Sequence, residues 1–399
     1  MSNDGEEFGL LGWEMPEELR AMRDMLRKFM ADQVRPAEEA LPSDSYEFPK
    51  DVLERLRKQA RGLGIWCVQS PVEHGGAGLS LLGQVVVAEE AAKCRMGAYV
   101  PAGGAFGFDP PNVIFKGNAD QIARYAAPCI ANGDKTFVAI SEPSGGSDPA
   151  RAIRTRAVRD GDHYVLNGTK VWITGAGQAK WGVVFARTGD PQARGGITSF
   201  IVDIGTPGLT LEPIDVIRSY SPYQLTFEDC RIPVANRLGD EGQGFALAED
   251  WLVHQRVPYA ATCIGTAQAA LDIALDWARE RETFGKKLAD HQAIQWMLAD
   301  SEVDLRAARL LVFQAAWRAE RGKNIKLEAS VAKLFASEAA NRVVDRCVQI
   351  LGGMGVAKEL PLERWFRETR IKRIGEGPSE VHRMVIARDL IRNGSREVD

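Results

Sequence analysis

The sequence predicts an α+β chain: a helical N-terminal domain (residues 1–135), a middle antiparallel β domain (136–243) and a C-terminal four-helix bundle (244–399). Three observations carry this. Helical spacing dominates up to about residue 134. Short β-rich runs broken by Gly, Pro and Asp then follow. Long helical patterns return from Gly244.

In the first part, Pro16-Glu-Glu-Leu-Arg opens a helix whose apolar residues Leu19, Met22, Met25, Leu26 and Phe29 recur at helical intervals. Another helix starts near Pro49. Gly75-Gly-Ala-Gly78 precedes an apolar helix over 81–92, without the strand-before setting of a dinucleotide fingerprint. In the middle part, the strand candidates are 137–140, 155–158, 163–166, 182–186, 197–202 and 224–228. Their spacing suggests a small antiparallel sheet packed as a barrel or sandwich. In the last part, Ile294, Leu298, Leu305, Ala308, Val312 and Ala315 mark one buried stripe. Ala267, Ala270 and Ala274 let a neighbouring helix come close.

Composition narrows the function. At 45% hydrophobic, 399 residues can bury a large core. The net charge of −4, from 50 basic and 54 acidic residues spread evenly, leaves no footprint for nucleic acid or an anionic membrane. Any anionic ligand must meet local positive charge. Cys67, Cys94, Cys129, Cys230, Cys263 and Cys347 are never spaced as Cys-x-x-Cys, so buried free thiols are expected rather than disulfides or a metal set. The acidic start lacks a signal or transit pattern, and no apolar run suits a membrane span. A soluble, cytoplasmic protein is expected.

Four stretches carry chemistry. Glu376 lies between Gly375 and Gly377 just before a helix, where a base on a short irregular segment can reach into a cleft. Taken alone, Glu376 better suits a positive helix end, with Gly377 as N-cap, Pro378 as first helical residue and Glu380 as capping-box partner. Ser141-Glu-Pro-Ser-Gly-Gly-Ser-Asp148 offers hydroxyls and free N–H groups, as a phosphate-binding loop or an ordinary turn would. It lacks the spacing of a nucleophile elbow. At Asn167-Gly168 a hairpin turn is expected, leading to a strand with Trp172 and Thr174 on one face. That pair suits a flat heteroaromatic ring, or Trp172 is a core aromatic. Arg281, near a helix end with Gly285 beyond it, can clamp a diphosphate or cap a solvated terminus.

The order and spacing of these motifs are more specific than any one of them. The chain resembles the acyl-CoA dehydrogenase family over nearly its whole length, on Ser141 to Asp148, Trp172-Ile-Thr174, Arg281-x-x-Phe-Gly285 with Gln292, Gln349-Ile-Leu-Gly-Gly353, and Glu376-Gly. The resemblance implies FAD and an acyl-CoA thioester, dehydrogenated to the trans-2-enoyl-CoA with hydride transfer to flavin N5. It implies electron-transfer flavoprotein as oxidant and a homo-oligomer, dimer or tetramer. Carried over by position, Glu376 is the catalytic base. Ile140 and Ser141 meet the flavin ring, Trp172 packs on it and Thr174 sits near N5. Ser147 belongs to the cofactor site and, with Arg256, to the CoA thioester channel. Arg281, Phe284 and Gln292 hold the FAD of a neighbouring subunit, with Gln349 and Gly353 also on the cofactor.

The sequence departs from the family in places. Pro378 stands where Thr is common, removing an expected hydroxyl contact to FAD. Gly375 replaces a common bulky aromatic and is expected to enlarge the substrate pocket. Gly-Pro-x-Glu-Val-His resembles a divergent branch. Some relatives carry the base near residue 255, but His254-Gln255 stands there, which favours Glu376. The alternatives are a flavin oxidase or monooxygenase on the same scaffold, and a catalytically silent flavin-binding subunit.

Overall fold

The computed structural model describes residues 15–189 and 196–394. The stretch read for targeting signals, residues 1–7, lies outside the described residues.

The N-terminal part contains α1 (Glu17–Phe29), α2 (Arg35–Glu39), α3 (Lys50–Gly62), α4 (Leu81–Ala91), α5 (Ala119–Gln121) and α6 (Ala127–Asn132). Helix α1 follows Pro16, with Glu17 and Glu18 in its first turn and Arg27 and Lys28 in its last, matching its dipole at both ends. In α4 the Ser80 side chain accepts from the Gly83 amide, and the helix is buried on nearly every side.

The sheet comprises β1 (Phe137–Ala139), β2 (Arg156–Asp160), β3 (His163–Thr174), β4 (Trp181–Arg187), β5 (Ile197–Asp203), β6 (Leu209–Pro213), β7 (Pro222–Pro233) and β8 (Arg237–Leu238). Its order is β6-β7-β3-β2-β4-β5-β8, with β1 also beside β4. Pairing is antiparallel except where β1 and one rung of β2 meet β4 in parallel. Apolar periodicity fixes which face a strand buries, not its direction, so the parallel joins were invisible in the sequence. Strand β6 was missed because Thr, Glu and Pro at an edge read as loop.

Asn167-Gly168 is not the expected hairpin turn. The chain reverses at Gly161, and β3 runs straight through, with a bulge against β7 between Leu166 and Gly168. Asn167 makes two bonds to Asp229 there, donating to Oδ1 (3.1 Å) and accepting from its amide (2.9 Å).

After the short α7 (Pro149–Ala152), the remaining helices are α8 (Gly244–Glu280), α9 (Gln292–Glu320), α10 (Lys326–Leu351), α11 (Leu362–Lys372) and α12 (Ser379–Asn393). At 37 residues, α8 spans about 55 Å at 1.5 Å per residue. The expected stripe on α9 forms: Leu305, Ala308, Val312 and Ala315 are buried, with Ile294 and Leu298 partly so. The N-terminal helices and the bundle share one core. Gly265 is where α8 crosses α4, because a Cβ there would run into the Glu89 carbonyl. The bundle also grips the N-terminal part through α11. Arg364 donates to the Ser43 (3.2 Å) and Ser45 (2.6 Å) carbonyls, and the Trp365 indole to the Arg95 carbonyl (3.1 Å).

All six cysteines are buried and free. Among the described residues, no helix is long and apolar enough to cross a membrane.

Candidate active site

A cleft of about 500 Å³ opens where the N-terminal helices, the sheet and the bundle meet. Helix α4 and the following loop supply Gln84, Ala88 and Tyr99; the sheet supplies Trp172 and Thr174; the bundle supplies Tyr259, Thr262, Lys372 and Glu376.

Glu376 stands in the turn between α11 and α12. Its φ is +55° and that of Gly377 is +93°. A left-handed glutamate costs about 1–3 kcal/mol and persists only where its surroundings hold it. Two cations do so through the backbone. Arg256 Nε of α8 donates to the Glu376 carbonyl (3.1 Å), and Lys333 Nζ of α10 donates to the Gly377 carbonyl (2.7 Å). Among the described residues, the Glu376 carboxylate itself makes no hydrogen bond or ion pair. Burial raises its pKa above the ordinary glutamate value, opposed by Arg256, Lys333 and Lys372. The N-cap of α12 is Pro378 and its first residue Ser379, so Gly377 is not the cap and the Glu380 capping box does not form. Beneath the turn, burial and the nearby Arg256 and Lys333 charges pull the buried His382 ring down to about 3, so it is neutral.

Trp172 is no core aromatic. It is 59% exposed at the cleft wall with φ at +65°. Thr174, on the same face of β3, accepts from Arg218 Nη2 (3.0 Å). The Arg218 guanidinium lies 3.9 Å from the Tyr99 ring, and its Nε and Nη1 are buried without partners. An exposed indole sharing the cleft lining with a threonine hydroxyl fits a flat heteroaromatic ring with polar edges.

The 140–148 loop is pinned to β3 beside Trp172. Lys170 Nζ donates to the Ile140 carbonyl (3.1 Å) and to Glu142 (2.7 Å), while the Val171 amide donates to the Ser141 carbonyl (3.0 Å). Glu142 also accepts from the Arg154 (2.6 Å) and Thr155 (3.0 Å) amides. Burial draws Lys170 down to about 8, partly offset by Glu142. Burial works to raise Glu142, but Lys170 and the amides outweigh it and leave it below the ordinary value. Ser147 is exposed on the loop.

Ile140, Ser141, Ser147 and Arg256 do not line this cleft, and neither do the other expected cofactor residues. Arg281 caps α8, its amide donating to the Trp277 carbonyl (2.9 Å). Phe284 stands 98% exposed at the tip of the small ladder between β9 (Glu282–Thr283) and β10 (Lys286–Lys287). Gln292 opens α9, Gln349 lies in the last turn of α10, and Gly353 follows it, all exposed.

Gly375 does not leave an empty space. A Cβ there would stand 2.6 Å from the Tyr259 hydroxyl, which takes up the room.

Three family models match the chain: acyl-CoA dehydrogenase N-terminal domain over 7–133, middle domain over 136–230 and C-terminal domain over 242–391. The chain belongs to the acyl-CoA dehydrogenase family. It is an oxidoreductase of that family, with FAD as its cofactor. Short-chain specific acyl-CoA dehydrogenase of Rattus norvegicus mitochondria is 39% identical to it, over 95% of this chain and 92% of the relative. Butyryl-CoA dehydrogenase of Megasphaera elsdenii has the same fold, with TM-score 0.85, 31% identity, and coverage of 96% and 100%. A chain from work on the electron transferring flavoprotein of Acidaminococcus fermentans matches with TM-score 0.86, 33% identity, and coverage of 96% and 100%.

Within this acyl-CoA dehydrogenase fold, Arg218, Tyr259 and Lys372 line or support the cleft without having been singled out in the sequence. Lys372 had a signal: with Trp365, Glu368 and Thr369 it falls on the buried stripe of α11, where a lysine is out of place.

Proposed function

We propose that the protein catalyses FAD-dependent α,β-dehydrogenation of an acyl-CoA thioester to the trans-2-enoyl-CoA, with Glu376 as the base. One observation carries this reading: a partly desolvated, unpaired glutamate shares a cleft with an exposed indole and a threonine hydroxyl.

Each residue has a physical task. The α-proton of a thioester is a weak acid, so a base with a raised pKa suits its removal near neutral pH. The backbone clamp by Arg256 and Lys333 fixes where the Glu376 carboxylate points. Arg256, Lys333 and Lys372 oppose that rise and so favour the deprotonated form that a base needs. FAD, when bound, accepts the β-hydrogen as hydride. Trp172, Thr174, Ile140 and Ser141 would hold its ring, and Ser147 and Arg256 would serve the CoA thioester.

Arg281, Phe284, Gln292, Gln349 and Gly353 would serve the FAD of a second copy. Their exposure, outside the lining of their own chain's cleft, supports this. The homo-oligomer would be a dimer or tetramer. Electron-transfer flavoprotein would take the electrons, a reading supported by the Acidaminococcus fermentans neighbour.

The test is anaerobic mixing of FAD-loaded protein with a panel of acyl-CoAs while flavin absorbance is followed. Bleaching by one class of chain supports the reading; no bleaching by any of them counts against it.

A further inference from the structure

A lysine is buried in the cleft lining, although a hydrocarbon tail would favour an apolar wall. Lys372 lines it at 3% exposure. Its Nζ donates to Thr262 Oγ1 (3.1 Å) and lies 3.8 Å from the Tyr259 ring and 4.6 Å from the Tyr99 ring. One hydrogen bond leaves two of the ammonium's three donors unfilled. Among the described residues no carboxylate forms an ion pair with Lys372 or Arg218. Glu368, on the same helix as Lys372, is held by Arg364 Nε (2.9 Å). Arg218, 5% exposed and stacked on the same Tyr99 ring, keeps two nitrogens unpartnered. Cys263, Glu368 and Glu376 favour the ammonium without forming an ion pair with it, burial still draws it down to about 8, and aromatic faces offset only part of that cost. A ligand anion would complete the set.

We propose that the acyl group taken by this enzyme carries a carboxylate remote from the thioester, and that Lys372 pairs with it. The inference rests on the reading of the cleft as an acyl-CoA site with Glu376 at the reacting carbon. Lys372 Nζ lies 3.8 Å from the Tyr259 ring, whose hydroxyl abuts Gly375 next to Glu376, and Lys372 acts electrostatically on Glu376, so the chain between thioester and carboxylate is short. The Tyr259 hydroxyl, occupying the space beside Gly375, makes that wall polar as well. The substrate class is the mono-CoA thioester of a short dicarboxylic acid.

The test compares two thioesters of equal length, adipoyl-CoA and hexanoyl-CoA. Binding is measured by calorimetry to the FAD-loaded Glu376→Gln variant, in which turnover does not interfere. Adipoyl-CoA should bind at least tenfold more tightly, a difference of about 1.4 kcal/mol. Adding Lys372→Met should abolish or invert that preference, and Lys372→Arg should restore most of it. A structural role alone would weaken both ligands together. Should Lys372→Met fail to fold by circular dichroism, the preference of the Lys372 protein decides: equal or tighter binding of hexanoyl-CoA overturns the proposal. If hexanoyl-CoA bleaches the flavin of the unaltered protein and adipoyl-CoA binds no better, the inference falls and the dehydrogenase reading stands. If neither thioester binds, both fall.

Discussion

The Tyr259 hydroxyl stands 2.6 Å from where a side chain on Gly375 would begin. Residues 116 positions apart, on α8 and on the turn before α12, thus divide one space between them. That packing makes Gly375→Ala an overpacking change, with a cost of about 1–3 kcal/mol. Tyr259→Phe removes the opposing oxygen. Urea denaturation of both single variants and the double variant should give a non-additive cycle, with Tyr259→Phe recovering part of the Gly375→Ala loss. Strict additivity would show that the two residues do not share this space.

Trp172 holds a bulky side chain at φ +65° while mostly exposed. Such strain costs on the order of 1–3 kcal/mol and is kept where a ligand uses it. Trp172→Gly should leave the melting temperature of the flavin-free protein unchanged or higher, yet weaken FAD retention on gel filtration. A variant that melts lower and keeps its flavin would mean that Trp172 serves the fold.

The Glu376 pKa is raised by burial and lowered by Arg256, Lys333 and Lys372. A base works deprotonated, so the rate of flavin reduction should rise with pH through a midpoint above the ordinary glutamate value. Removing a cation disfavours the carboxylate form. Lys372→Met should therefore move that limb to higher pH in stopped-flow reduction measured across pH. A shift to lower pH would contradict the assigned sign.

Arg281 is exposed, Phe284 is 98% exposed, and neither lines the chain's own cleft. Arg281→Ala should lower flavin content while leaving the far-ultraviolet circular dichroism unchanged, because a charge-assisted clamp on a diphosphate is lost. Sedimentation of the same samples tests the assembly. A monomer that keeps FAD tightly would refute the cross-subunit role.

The three-part order was legible because each part has its own apolar period. The α9 stripe through Leu305, Ala308, Val312 and Ala315 is buried as the spacing implied. Trp172, Thr174 and Glu376, read from separate motifs, line one cleft. What failed depended on partners distant in sequence. Asn167-Gly168 reads locally as a turn, but its pairing with Asp229 makes it a bulge. Gly375 reads as vacant space until Tyr259 is folded beside it. Arg218 looks like a surface charge until the chain lays it on Tyr99. Lys372 alone was within reach of pattern reading, as a cation on a buried helical stripe.

The central claim is that Glu376 is the base, and Glu376→Gln measured by anaerobic stopped flow tests it most directly. The change is nearly isosteric, and the backbone carbonyls that Arg256 and Lys333 hold are untouched. The variant should bind FAD and acyl-CoA as before while flavin reduction slows by about a hundredfold or more, the scale of a positioned base. Reduction at the parental rate would contradict the account and assign proton removal to another residue.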